Sequence, residues 1–401
     1  MKKYDVLIIG GGAAGMAAAL SASGNGKKVA IAEASPRVGR KLLATGNGRC
    51  NLINMQDAPY YGEACFAAEV LKHCGKEEVL SFFHGLGLVT REEDGGRVYP
   101  GCGQAAAVLD VLRRALERCQ VDIICDARTE KIEKSRDGFR VFAGEQVYTC
   151  SKVIVTCGGM AGGKLGHDGA AYALLTRLGH TLKKPMPALV PLLAEKGAVK
   201  GLSGLRLPAV LTLCDGDKPV AAAAGEALFT DYGVSGICAM QLSAQVHGLQ
   251  KPVLKMDFSP MLGLMPCRYE RIAVQDGKAA YERMLSFLKK RANLLPKEDL
   301  LCGLLPRLLA EKLQGLPVEK MAEKLCAFRV PLTGVRGFEY AQVTRGGIAA
   351  AEFDPDTLQS KKVPGLYAAG EMLNVDGDCG GFNLLFAFGS GMLAGRAAAK
   401  E

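Results

Sequence analysis

The sequence predicts an α/β fold built on a Rossmann-type dinucleotide-binding domain drawn from both ends of the chain. Three observations carry this. The apolar, β-branched run 4–9 ends directly in glycines. An Ala-rich stretch of helical character, 13–23, follows, and a second apolar run, 28–32, ends in Glu33. Glycine-rich strand and turn character then returns near the C-terminus, at 343–348 and 365–371.

Each element has its own reason. Short continuous apolar runs are the mark of parallel strands buried on both faces, and strand–helix–strand order implies a right-handed crossover. Helical periodicity recurs at 63–88 and 104–118, and 121–125 reads as a further sheet strand. Alternation at 139–142 and 147–149 predicts a small antiparallel meander, after which 153–156 re-enters the sheet before Gly158-Gly159. From about Pro185 the texture changes: five prolines between 185 and 219 and an alternating run at 209–213 predict a β-rich insert. Residues 266–328 then read as helical, and the chain closes on a final helix. There is no internal repeat and no low-complexity linker.

Composition narrows the function. Fourteen cysteines with no CxxC pair, and five scattered histidines, read as reduced thiols rather than a zinc or iron–sulfur site. No export signal is visible, so a cytoplasmic location is expected. The apolar tail 382–399 is interrupted by Gly389, Gly391, Gly395 and Arg396, which makes it a buried helix rather than a membrane span. Of the formal charge of +9, residues 268–329 carry +5, with 13 Lys/Arg against 8 Asp/Glu. Interspersed with leucines, these charges read as solvated helix faces and argue against a nucleic-acid or membrane partner.

The first glycine loop is Gly10-x-Gly12-x-x-Gly15. Gly10 permits the tight turn, Gly12 lets a pyrophosphate approach the backbone, and Gly15 allows close helix–strand packing. The unpaired N–H groups and dipole of the following helix favour phosphate. Glu33, 23 residues after Gly10, stands where a carboxylate accepts ribose hydroxyls. The unit binds an ADP moiety, and by itself does not separate FAD from NAD.

Beyond Glu33, the run Gly39-Arg40-Lys41-Leu42-Leu43-x-x-Gly46-x-Gly48-Arg49-Cys50-Asn51-x-x-Asn54 resembles a bacterial FAD-dependent flavoprotein family. Its members are known as NAD(P)/FAD-dependent oxidoreductases, aminoacetone-oxidase-like proteins or 3-dehydro-bile-acid reductases. Further matches follow in order: Arg97-Val-Tyr-Pro100, Asp168-Gly169, the run 228–236, Val343-Thr-Arg-Gly-Gly347, the run 364–371 and Asp376-Gly-Asp-Cys-Gly-Gly-Phe-Asn383. The resemblance implies a discontinuous FAD-binding domain (1–187 and 340–401), a β-barrel-like insert (188–264 and 328–339) and a helical subdomain (265–327). It implies FAD contacts from Gly10, Gly12, Ala14, Gly15, Glu33, Ala34, Arg40, Lys41, Gly48, Arg49, Asn51 and Gly158. At the C-terminal end it adds Gly370, Glu371, Gly381, Phe382, Asn383 and Leu384, with Glu371 at the ribityl–phosphate portion. The helix starting near Phe382 would aim its N–H groups at the flavin ring. Here the chain departs from the family, carrying Asn383-Leu384-Leu385-Phe386 in place of an Asn-Leu-Gln-Trp run.

The expected activity is hydride transfer through FAD, with NAD(P)H as co-substrate, to a small organic acceptor such as an enone. The alternatives are an oxygen-using oxidase of an amine or ketone, and an RNA-interacting or redox-sensing flavoprotein. Saturating a double bond also needs a proton, for which Tyr232, His167 and Asp168 are candidates. Lys164 and Arg345 are candidates to hold an acidic substrate or a nicotinamide phosphate. Cys50 lacks a partner cysteine nearby and reads as a packed neutral thiol.

Overall fold

The computed structural model describes residues 2–165, 168–265, 271–272 and 277–400. The chain forms two compact units, Met1–Met186 with Val343–Glu401, and Pro187–Gln342.

The first unit centres on a sheet in which Lys2–Ile9 lies parallel to Val29–Ala32 on one side and to Gln146–Val155 on the other. Asp122–Ile124 extends it in parallel beyond Val29–Ala32, and Leu366–Ala368 joins Gln146–Val155 in parallel. Gly138–Ala143 and Thr129–Ser135 add an antiparallel edge. Leu7, Ile8, Ile31, Val153 and Ile154 are fully buried, which is why these strands read as unbroken apolar runs.

Two expectations need correction. The segments 147–149 and 153–156 are one strand, Gln146–Val155. Exposed Ser151 interrupts the apolar signal, yet the backbone pairing continues through Lys152 opposite Val6. The helical stretch 63–88 is two helices, Ala64–His73 and Lys76–Gly85, parted at Cys74-Gly75. Gly75 starts the second, its N–H donating to the Glu78 carboxylate at 2.9 Å.

Two helices pack on this sheet with apolar residues on every side. One is the glycine-loop helix, Ala13–Ala22, and the other the C-terminal helix, Phe382–Ala399. They touch backbone to backbone. A Cβ on Gly391 would lie 2.3 Å from the Ala14 carbonyl oxygen, and one on Gly395 only 2.2 Å from that of Ala18. Only small residues permit this approach.

In the second unit, six strands close into an antiparallel barrel: Arg206–Asp215, Pro252–Asp257, Phe328–Val335, Leu192–Ala194, Gly233–Ser235 and Lys218–Phe229, which pairs back with the first. The helices Gly277–Ala292, Arg307–Leu313 and Val318–Cys326 bury Met284, Leu309 and Leu325 in the same core as Leu211, Phe229 and Met256. Part of the basic run on the first of these is structural: Lys289 pairs with Glu319, and Arg291 donates to the carbonyls of Leu300 and Cys302. The α/β class and the Rossmann-type sheet thus stand as read from the sequence, and the barrel-like insert as the resemblance implies. Among the described residues, no helix is long and apolar enough to cross a membrane.

Candidate functional site

The site lies in the first unit and begins at the glycine loop. Lys2–Ile9 delivers the chain to Gly10, whose carbonyl accepts a hydrogen bond from the Thr156 hydroxyl at 2.8 Å. A Cβ on Gly15 would stand 1.9 Å from that same carbonyl, so the close helix–strand packing expected of Gly15 is realised. Gly12, by contrast, has nothing within 4 Å of its Cβ position. It caps the glycine-loop helix in an extended conformation without a side-chain cap, which leaves the first-turn N–H groups without a capping side chain. Glu33 closes the loop from the next strand: its carboxylate accepts the N–H of Gly11 at 2.7 Å and that of Ser35 at 2.8 Å. Two acceptor positions are thereby used, and a carboxylate offers about four. Ala34 follows at the strand end, and Arg40 donates to Ser35 Oγ at 3.3 Å.

A second cluster joins residues 330 positions apart: Lys41 Nζ donates to Glu371 Oε2 at 2.8 Å. The other oxygen of Glu371 accepts the Thr344 N–H at 2.9 Å. Gly159 runs beside this carboxylate, and Gly158 stands open next to it. Gly370 is held by Ser390, its N–H donating to the hydroxyl at 3.0 Å, and it packs against Ala14 of the glycine-loop helix. Tyr172 is buried, and its phenol is pushed up first by burial and then by Glu371.

The third part is the start of the C-terminal helix. Gly381 caps it at φ +106°, and a Cβ there would lie 2.5 Å from the Ile53 carbonyl carbon, so no larger residue fits. Around it converge side chains from far upstream. Asn54 donates to the Gly380 carbonyl at 2.9 Å, and Tyr60 donates to the Phe382 carbonyl at 2.9 Å. Asn383 is spent inward: its amide oxygen accepts the Gly377 N–H at 2.8 Å, and its amino group donates to the carbonyls of Gly377 and Asp378. Only its backbone remains for a ligand, while Leu384 is half-buried and Leu385 and Phe386 are buried. Asn51 stands apart, because its Oδ1 is buried beside Gly381 without a hydrogen-bond partner among the described residues. The loop that delivers it carries Asn47 and Cys50 at φ +55°, backbone strain of the kind that gathers at functional sites.

The remaining candidates separate clearly. Arg49 pairs with Glu93 and lies over the ring of Tyr99, and a Cβ on Gly48 would come no nearer than 4.0 Å to a neighbour. Arg345 is held in two-pronged fashion by buried Asp376 and stacks on Tyr61, so its charge is already neutralised and it does not stand free for an acidic ligand. Asp168 is exposed, and its hydrogen bond from Arg128 holds its carboxyl below the usual range, which leaves it no proton to give near neutral pH. Tyr232 belongs to the second unit, where Arg336 lies over its ring at 4.4 Å. His167 and the Lys164 side chain lie outside the described residues. Burial pushes the Cys50 thiol up to about 12, so it is neutral.

These residues fit an ADP-bearing flavin. An uncapped helix start with free space over Gly12 suits a pyrophosphate, and an orphaned buried acceptor beside a second helix start suits an N–H-bearing ring edge. In the sequence, Asn54 and Arg97–Pro100 stand out only as members of long motifs with no evident task, and Tyr60 carries no signal at all.

The chain matches, over residues 4–397, the family described as HI0933-like protein Rossmann domain. It is 39% identical over 413 residues to the 3-dehydro-bile acid delta(4,6)-reductase of Clostridium scindens, covering 98% of both chains. It is 26% identical over 397 residues to the ribosomal RNA dihydrouridine synthase of Escherichia coli, covering 97% of this chain and 96% of the relative. Among solved structures it resembles the 3-ketosteroid delta1-dehydrogenase of Sterolibacterium denitrificans, with a TM-score of 0.54, 13% identity and 100% coverage of both chains. That last likeness is one of fold.

Proposed function

The chain belongs to the HI0933-like Rossmann family and is an FAD-dependent oxidoreductase, and we propose that it reduces a carbon–carbon double bond conjugated to a carbonyl. In this reading the acceptor is a small steroid-like enone and NAD(P)H supplies the hydride. The observation that carries it is the full-length likeness to a bile-acid delta(4,6)-reductase at 39% identity. Chemistry lends support, because a dihydrouridine is likewise a uridine whose carbonyl-conjugated double bond has been saturated. Both relatives are thus named for the same type of reduction, which speaks against the amine or ketone oxidase alternative.

The cofactor falls in this proposal to the unit Met1–Met186 with Val343–Glu401. Gly12 and the first-turn N–H groups beside Ala14 would hold the pyrophosphate, and Glu33 the adenosine ribose. Lys41 and Glu371 would meet the ribityl–phosphate portion. Asn51 and the N–H groups of Phe382, Asn383 and Leu384 would meet the ring. Bound there, FAD supplies the hydride chemistry. The start of the C-terminal helix favours negative charge beside it, by up to ~2 kcal/mol in a partly buried setting.

The test is an anaerobic absorbance spectrum before and after NADH or NADPH, followed by a 3-oxo-Δ4 steroid. The flavin band should bleach within seconds and return when the steroid is added. A band that stays oxidised with both nucleotides would refute nicotinamide as the hydride source. A second reading, with a uridine of RNA as acceptor, is favoured by the likeness to the dihydrouridine synthase. It predicts that unmodified ribosomal RNA, and not the steroid, restores the band.

A further inference from the structure

One buried cluster in the first unit takes no part in the site described above. The His180 side chain is shut off from solvent and lies flat on Phe353, with ring centres 4.6 Å apart and planes within 15°. Its Nδ1 stands 2.9 Å from Glu352 Oε2, and its Nε2 2.9 Å from the Ser360 hydroxyl. Both partners belong to the loop 352–363, which leads into the strand Leu366–Ala368 and on to Gly370 and Glu371.

The hydrogen bonds here can be counted, and the count admits one protonation state. Glu352 Oε1 accepts the Lys362 ammonium and the Thr181 hydroxyl, each at 2.7 Å, and Oε2 accepts the Thr181 N–H at 3.0 Å beside the imidazole. Burial pushes this carboxyl up, yet the bonds from Lys362, Thr181 and His180 hold it down at about 2, so it stays charged. A carboxylate only accepts, and Nδ1 therefore carries a proton. The Ser360 oxygen accepts the N–H groups of Lys362 at 3.1 Å and Val363 at 2.9 Å, which fill its two acceptor positions. Its own proton goes to Nε2, so the ring is neutral. A second proton on the ring would set two donors, Nε2–H and Oγ–H, against each other.

The loop also carries strain. Leu358 is buried at φ +61°, a region that side chains other than glycine's rarely enter and that persists only where the surroundings impose it. The loop in turn braces the following strand: the Ser360 N–H donates to the Leu366 carbonyl at 2.7 Å, and the Ala368 N–H to the Leu358 carbonyl at 3.3 Å.

We propose that His180 and Ser360 form a pH-sensitive latch on the loop 352–363, closed while the imidazole is neutral and released when the ring takes a second proton. Release loosens Leu366–Ala368 and, beyond it, Gly370 and Glu371, so the protein sheds FAD on acidification. The link to FAD rests on the placement of Glu371 against the cofactor proposed above; the opening of the loop does not. Burial lowers the proton affinity of His180, Glu352 opposes this, and Lys362 adds to it; these two are the charged groups that bear on the ring. With the folded-state value depressed, the latch is complete above the ~6.5 of a free imidazole and is lost as pH falls through the depressed value.

The experiment compares the FAD-loaded full chain at about pH 7.5 and about pH 5.5. It reads backbone hydrogen exchange over 358–368, corrected for the intrinsic effect of pH, and the flavin released through an ultrafiltration membrane. Protection should fall about tenfold at the lower pH, and flavin release should rise by a similar factor. His180→Gln, which cannot titrate, should make both readings the same at the two pH values. Ser360→Ala, which removes the opposing donor, should blunt the response, and it decides the matter should the first variant fail to hold flavin at all. His73→Gln should keep the response of the unaltered protein, since His73 pairs with exposed Asp356 of the same loop and gains from a proton. Unchanged protection in the unaltered protein, or a full response in both His180→Gln and Ser360→Ala, overturns the latch. Protection that falls while the flavin stays bound leaves the latch standing and refutes the placement of Glu371 against FAD.

Discussion

The starts of the glycine-loop helix and of the C-terminal helix are alike in one respect and opposite in another. Both are capped by a glycine without a side-chain hydrogen bond, Gly12 and Gly381. Around the Cβ position of Gly12 there is open space, and what holds the loop is backbone, the Thr156 hydroxyl and one carboxylate, Glu33. Around Gly381 the space is crowded with Asn51, Asn54, Tyr60 and Asn383. The first end can recognise a phosphate by backbone and dipole alone, a task nearly independent of side chains. On the proposed reading the second would orient a ring, with polar side chains from separate segments. One end would then supply affinity and the other would position the chemistry.

That division can be broken or sharpened by substitution. Gly391→Val should do the most damage, because it drives a side chain into the Ala14 carbonyl and disturbs both helices at once. We expect a loss of about 3 kcal/mol or more, read as a fall in thermal midpoint together with loss of bound FAD. Should that variant keep its midpoint and its flavin, the two helix starts are not mechanically linked. Asn383→Leu comes next. It strips partners from the Gly377 N–H and from the Gly377 and Asp378 carbonyls, at ~1–3 kcal/mol in chemical denaturation. FAD affinity should stay within about threefold while turnover falls about tenfold, confining the damage to the ring end. Glu33→Gln should act in the opposite sense, weakening FAD affinity about tenfold in a fluorescence titration and leaving turnover of the loaded enzyme unchanged. Smallest of all is Asp168→Asn, where an exposed pair with Arg128 is lost. Turnover should stay within about twofold, and a larger fall would restore Asp168 as a proton donor.

The same contrast explains what could be read in advance. The glycine-loop end occupies one strand–helix–strand unit, so Gly10, Gly12, Gly15 and Glu33 announce themselves by spacing and order. The C-terminal end does not. Nothing local to Asn51 or Tyr60 shows that they meet a helix more than 300 positions later, and nothing near Lys41 shows that it meets Glu371. Arg345 misled for a related reason: a cation in a glycine-rich run looks available until its buried partner Asp376 is seen. The strand Gln146–Val155 looks like two pieces in the sequence because hydropathy reports burial, whereas backbone pairing runs on through an exposed serine.

The contact between Gly391-x-x-x-Gly395 and Ala14-x-x-x-Ala18 pairs residues that advance together, so the two helices run in the same direction. Gly391 is the tenth residue of its helix, whereas Ala14 is the second residue of its own. At 1.5 Å per residue the start of the C-terminal helix therefore overshoots that of the glycine-loop helix by about 12 Å along their shared direction. The four small residues thus act as the fixed notch of a gauge. They set the span between the two positive helix ends, and with it the length of cofactor that can touch both.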